Sequence, residues 1–203
     1  MQTQIAIPSE TNIHTKAARA QVPTRWELID RSVGAAVTAL FGAVWIAGGS
    51  VVLIGAQVPM LVAIGFAAIA LGGTAVGLAL RAKANSEDQP SPTERAQRYK
   101  RFHLINGVQW LCIVALIVSL NLLQRPEWIT DGIILIVGLH FLPLARLFNS
   151  QSHRHAGLAL SLWAFVYPLV AASGPLSPWG AVGAGVILWT FSGAMIALLA
   201  KAR

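Results

Sequence analysis

The sequence predicts an all-α, polytopic membrane protein with six transmembrane helices in a bundle, and three observations carry that prediction. First, 55% of the 203 residues are hydrophobic and only 11% are charged, with a mean hydropathy of +0.62. A soluble domain carries about a quarter charged residues, so the supply for a wet surface is too small. Second, residues 32–80, 102–124 and 155–200 contain no Asp, Glu, Lys or Arg. A spanning helix needs about 20 apolar residues, so these runs hold two, one and two spans. A further candidate, Ile129–Phe148, is interrupted only near its ends, by Asp131 and Arg146. Third, with six spans and a cytoplasmic N-terminus, every Lys and Arg except Arg125 falls on the inner side. Omitting the fourth span would place Arg146, Arg154, Lys201 and Arg203 outside, against the positive-inside tendency. The runs are continuously apolar rather than alternating, which excludes a β-barrel, and the apolar excess excludes disorder.

The expected spans are 33–54, 59–80, 104–123, 129–148, 156–173 and 179–200, with a cytoplasmic loop over 81–103. Residues 1–24 read as a mobile cytoplasmic tail and 25–203 as the membrane domain. No apolar h-region stands within the first 30 residues, so no cleavable signal peptide is expected. The single cysteine, Cys112, lies inside span three and leaves no internal disulfide.

In chain order, Thr24-Arg25-Trp26-Glu27 matches a capping box and starts the first helix near Arg25, before the membrane. Ala84 to Pro92 is turn-rich. Ser91-Pro92-Thr93-Glu94 is a second capping box with proline at the first helical position, so the third helix runs from Pro92 through Leu123. Its cytoplasmic prefix carries Arg95, Arg98, Lys100 and Arg101, expected to contact anionic lipid headgroups, with docking of an acidic partner as the alternative. The short outer turns, Gly55–Val58, Gln124–Trp128 and Ser173–Pro178, each place a proline near the next helix start, Pro59, Pro126 or Pro178, and a glycine follows at Gly65, Gly132 or Gly183. Three copies of a helical hairpin would produce that pattern, although proline at a helix start is common in any case. Trp128 and Trp179 mark the outer interface, and Tyr99, Phe102 and Phe148 the inner one. Gly73–Gly77 forms a GxxxG pair, and Gly180, Gly183 and Gly185 crowd the start of span six; both are expected to let helices approach closely, within the bundle or in a homo-oligomer. Gly48-Gly49-Ser50 is a candidate bend.

One ionisable side chain lies deep in a span, His140, about 12 Å from the inner end at 1.5 Å per residue. Gln109, Ser161, Tyr167 and Thr190 fall at a similar depth and are candidate hydrogen-bond partners, and Pro143 beside it frees a backbone carbonyl. His140 is either a proton-responsive or ligand-contacting group in a small polar pocket, or a neutral packing histidine. Asp131 lies on the opposite face from His140, and Arg146 is over 20 Å from Asp131 along the axis, which excludes the simplest proton relay. On span three, His103, Asn106, Trp110, Ile117 and Asn121 follow helical spacing and are expected to face inward, as glue or as a ligand-lining surface.

No paired acids or Ser/His pair marks an intramembrane protease, and no Walker or dinucleotide motif occurs. His153-Arg154-His155 has i, i+2 spacing, poor for metal ligation on a helix, and a b-type haem wants two deep axial histidines where one exists. No cofactor and no metal site is expected, and the chain leans away from an enzyme. The net charge of +7 would suggest nucleic acid in a soluble protein, but here it flanks the spans, and no nucleic-acid partner is expected.

The segment Gly138-Leu139-His140-Phe141-Leu142-Pro143-Leu144-Ala145-Arg146-Leu147-Phe148 resembles a string found in small multi-pass bacterial membrane proteins of uncharacterised activity. The resemblance covers these eleven residues, implies the bacterial cytoplasmic membrane, and implies no activity. It singles out His140, Pro143 and Arg146. The functional expectation is a non-enzymatic accessory or regulatory membrane protein that binds lipid or a protein partner. The alternative is a small transporter or ligand-binding bundle with His140 on the pathway, favoured if a pocket joins His140 to Gln109, Tyr167 or Thr190; Asn106 and Arg146 are further candidates for ligand contact.

Overall fold

The computed structural model describes residues 25–81 and 91–201. The expected tail at 1–24, the Thr24 half of the first capping box, residues 84–90 of the loop and Arg203 lie outside the described residues. Among the described residues there are six α-helices and no strand: α1 Arg25–Ile54, α2 Val58–Arg81, α3 Pro92–Leu122, α4 Ile129–Leu147, α5 Gln151–Val170 and α6 Trp179–Lys201. Single 3-10 turns at Pro126–Trp128 and Gly174–Leu176 lead into α4 and towards α6. The capping box on α3 forms as the sequence implies: the Ser91 amide donates to the Glu94 carboxylate at 2.7 Å and the Glu94 amide donates to the Ser91 hydroxyl at 3.3 Å.

Five helices are long and apolar enough to cross a membrane, namely α1, α2, α3, Pro126–Leu147 and α6. The sixth, α5, is less apolar because its first turns carry Gln151, Ser152, His153, Arg154 and His155. It also ends earlier than the expected span 156–173, since Ala171 turns to extended backbone (φ −79°, ψ 134°). Two reversals rest on non-glycine residues at positive φ, Gln124 at 56° and Asn149 at 45°. Asn is the non-glycine residue best suited to that conformation.

Side-by-side order in space is α2, α1, α6, α5, α4, α3. The most extensive interface joins the first helix to the last. There, Gly42 and Gly185 face each other so closely that a Cβ on Gly185 would sit 2.6 Å from the Gly42 carbonyl oxygen. Two polar side chains of α6, half-buried Trp189 and buried Ser192, donate to α1 carbonyls across this seam: Trp189 Nε1 to Ala39 at 2.9 Å and Ser192 Oγ to Ala35 at 2.9 Å. In hydrocarbon, close backbone approach and such interhelical hydrogen bonds hold helices together where burial of apolar surface does not. A second seam has the same construction: Gly138 on α4 and Gly157 on α5 each meet the other's carbonyl. Gly183 and Gly180 make room for Trp163 and Tyr167 of α5, and Trp163 Nε1 donates to the Gly180 carbonyl at 2.9 Å.

Several sequence expectations are corrected by this packing. Gly73 and Gly77 have open space where a Cβ would stand, so the GxxxG face of α2 makes no contact within the chain. The three proline-following glycines are not equivalent: Gly65 is open, Gly132 receives Leu116, and Gly183 receives Trp163. The hairpin pattern therefore does not extend to a threefold packing repeat. The inward face of α3 is rotated from the expected one; Phe102, Ile105, Asn106, Gln109, Ile113 and Ile117 turn inward, whereas His103 and Asn121 are exposed. Asn121 satisfies its amide on its own helix, donating to the Ile117 carbonyl at 2.7 Å, which removes the cost that was to drive it inside.

Gly185→Leu should lower stability by about 1–3 kcal/mol through overpacking of the α1–α6 seam. The outward Gly73→Leu and Gly77→Leu changes should each stay within about 0.5 kcal/mol. Unfolding in mixed micelles followed by tryptophan fluorescence reads both.

Candidate functional site

The spatial order leaves α3 with extensive packing on α4 alone, standing off from α1. The space between them is a cleft of about 660 Å³ floored by α4, with Leu188 of α6 at its back. This is an ordinary size for a small-molecule site. One end, which we call the basic end, is ringed by Trp26 and Asp30 of α1, Arg95, Arg98 and Tyr99 of α3, and Phe148 and His153 of the α4–α5 corner. Midway stand Asn106, Gln109 and His140. Beyond them the wall is apolar, with Phe41, Trp45, Ile113, Ile117, Ile133 and Val137.

His140 is placed here because the α4–α5 seam fixes the rotation of α4: Gly138 turns towards α5, so His140, two residues on, turns towards α3. Its ring stands against the Ile105 backbone of α3, and its Nδ1 is buried without a partner. None of the four side chains expected from depth bonds it. Asn106 donates to its own Phe102 carbonyl at 2.8 Å and lines the cleft.

The sequence-predicted residues separate cleanly. His140, Asn106 and Gln109 share the cleft, and Arg95 and Arg98 join them at the basic end. Tyr167 does not: it is 1% exposed, stacks on Trp163 at 5.8 Å and reaches the Pro175 carbonyl at 3.5 Å on the far end. Thr190 is exposed and bonds its own Val186 carbonyl at 2.9 Å. Arg146, Lys100 and Arg101 are exposed and stand outside the cleft. The basic cluster of α3 is therefore divided, because positions 95, 98 and 102 share one helical face and 100 and 101 do not.

Two cleft residues were not singled out for this role in the sequence. His153 was weighed only within the His153-Arg154-His155 pair, yet it is 6% exposed and walled by Phe148 at 5.5 Å, Phe141 at 5.9 Å and Phe191 at 5.0 Å. Its Nδ1 has no partner. Asp30 bridges the mouth, accepting from Arg98 at 3.3 Å and so tying α1 to α3. No local signal marks either residue, since their surroundings come from distant segments. At the proline end a second cavity of about 430 Å³ includes Glu127, Thr130 and Ser177, and Trp45 lines both spaces. Among the described residues no group of three His, Cys, Asp or Glu stands together as a metal site. Comparison with protein-family models, curated proteins and solved structures returns no match to this chain.

Burial pushes the Asp30 carboxyl above its ordinary 3.8, and the Arg98 guanidinium partly counters that shift. A carboxyl with a raised folded-state value binds its proton earlier on acidification, so the folded state gains stability as pH falls through that value, while the Asp30–Arg98 contact weakens over the same window. A carboxyl-carbon NMR titration should place the Asp30 midpoint above 3.8. Arg98→Gln should move that midpoint higher still; an unchanged midpoint would show that the pair is not formed.

Proposed function

We propose that this chain is a six-span ligand-binding bundle of the bacterial cytoplasmic membrane, with both termini in the cytoplasm and the α1–α3 cleft as its binding site. The observation that carries the reading is the grouping of His140, Asn106 and Gln109, three polar side chains within the expected spans, around one largely apolar cleft. A few placed polar groups in an apolar concavity are the usual composition of a small-molecule site. Polar side chains at membrane depth are costly, and in this grouping they have a use. The accessory-protein expectation is not discarded by this reading, since a bound ligand is a natural means of regulation, but it draws no separate support from a docking surface.

Two features support α5 as the sixth span. It packs along α4 through the glycine seam and against α6, both of which are long and apolar enough to cross. Its polar first turn sits beside Phe148 and Arg146 at the basic end, where headgroups would meet it. With that span, both ends of the described chain, Arg25 and Lys201, stand at the basic end, and the distribution of Lys and Arg assigns that end to the cytoplasm.

Sidedness is checked with single cysteines in a Cys112→Ser background and a membrane-impermeant maleimide. Gln124→Cys and Ser173→Cys should label in intact spheroplasts, and Ser150→Cys only after permeabilisation; labelling of Ser150→Cys and Ser173→Cys from one side would remove α5 as a span. For the cleft, the full chain extracted gently and weighed by native mass spectrometry should carry a co-purifying small molecule. Val37→Trp, which inserts an indole at the cleft wall, should strip most of it without changing the unfolding midpoint. Retention at the wild-type level would place the ligand elsewhere and defeat the proposal.

A further inference from the structure

We infer that the ligand class of this cleft is an acidic membrane lipid, with its headgroup between Arg95 and Arg98 and a hydrocarbon chain along the apolar wall; this rests on the cleft being the binding site. The first argument is the gradient. Charged lining is confined to one end, where Asp30, Arg95 and Arg98 stand, and the wall beyond that end is apolar apart from Thr38, whose hydroxyl bonds its own helix, the amides of Asn106 and Gln109, and His140. Trp26 and Trp45 mark the two ends on α1, nineteen residues apart, which is ~28 Å along a helix at 1.5 Å per residue. That is close to the full apolar thickness of a bilayer, far longer than a compact polar solute needs.

The second argument is access. The rim residues Val33, Val37 and Phe41 on α1 and Trp110 on α3 line the cleft and are also exposed on the outer surface of the helices. In a membrane, that rim opens sideways into hydrocarbon, so the occupant enters from the bilayer with its chain already in place.

Third, the polar end is built to receive an acid. Arg98 is held at the mouth by Asp30 at 3.3 Å, and Arg95 lies over the Trp26 ring at 4.8 Å. Guanidinium groups held in this way present fixed donor forks to phosphate or carboxylate oxygens. Beside them His153, 6% exposed, lines the same end of the cleft, where its ring packs among Phe141, Phe148 and Phe191. Lys100 and Arg101, on the other face of α3, attract anionic surfaces generally but do not reach the cleft.

The test uses the full chain, delipidated in neutral detergent, then incubated with vesicles of phosphatidylglycerol or of phosphatidylcholine with the same acyl chains, and weighed by native mass spectrometry. Retention of phosphatidylglycerol should exceed that of phosphatidylcholine by at least about tenfold, since each basic group near a headgroup contributes about 1 kcal/mol. Arg95→Gln, which leaves the Asp30–Arg98 pair intact, and Arg98→Gln should each cut retention about fivefold, while Lys100→Gln with Arg101→Gln leaves it unchanged. An equal loss from the Lys100/Arg101 variant would reduce the effect to surface charge and overturn the inference. Equal retention of the two lipids, or binding of inorganic phosphate alone with no lipid retained, would overturn it as well. If Val37→Trp abolishes retention while the arginine variants change nothing, the cleft reading stands and the acidic headgroup falls; if Val37→Trp also changes nothing, both fall.

Discussion

The close approach of Gly42 and Gly185 is the constraint from which the rest of the arrangement follows. Where two backbones come within touching distance, no side chain can separate them, and carbonyls of one helix come within reach of donors on the other. Trp189 and Ser192 use that reach to bond Ala39 and Ala35. The first and last helices are thereby joined along their length, and α2 and α5 are placed on either side of the pair. The Gly138–Gly157 seam repeats the device between α4 and α5 and sets the rotation of α4. Both seams are backbone-on-backbone contacts, which tolerate almost no substitution and so define register as well as proximity.

Once the two seams are made, α3 has one neighbour of consequence. It is tied to α4 by the entry of Leu116 at Gly132 and by the His140 contact with Ile105, and to α1 by the Asp30–Arg98 pair at one end. Between these ties it lacks the small residues that would draw it against α1. The large side chains Phe41, Trp45 and Trp110 line the space between the helices, and the cleft is the volume between those ties.

Much of this was legible in the sequence, and the parts that were not share a cause. The charge-free runs located the helices, because a long apolar run has one stable use in a bilayer. Ser91 and Glu94 located the start of α3, because the interaction is local. Partner choice was not legible. Gly73 and Gly77 have the spacing of a packing motif and face outward, whereas Gly42, Gly138 and Gly157, which make the seams, sit in no such pair. The face of α3 was misjudged by about one residue because Asn121 bonds to its own helix and has no need of the interior. Among the candidate site residues, His140 and Gln109 are legible by depth and Asn106 by helical spacing, and Tyr167 and Thr190 are misplaced by depth, since equal depth says nothing about azimuth. His153 escaped notice because Phe141, Phe148 and Phe191 come from three separate stretches of chain.

The exposed rim along Val33, Val37 and Phe41 has a consequence for selectivity. A site that opens into hydrocarbon has the bilayer itself as a competitor, present at overwhelming concentration. Exchanging one acyl chain for another against the same wall releases almost no free energy, so for the lipid proposed here the apolar length of the cleft would secure occupancy without discrimination. Discrimination is a difference between two binding free energies, and on that proposal it would have to arise over the few ångströms occupied by Asp30, Arg95 and Arg98. A small polar patch would then carry the whole burden of choosing, while the much larger apolar surface only ensured that the choice was always being made.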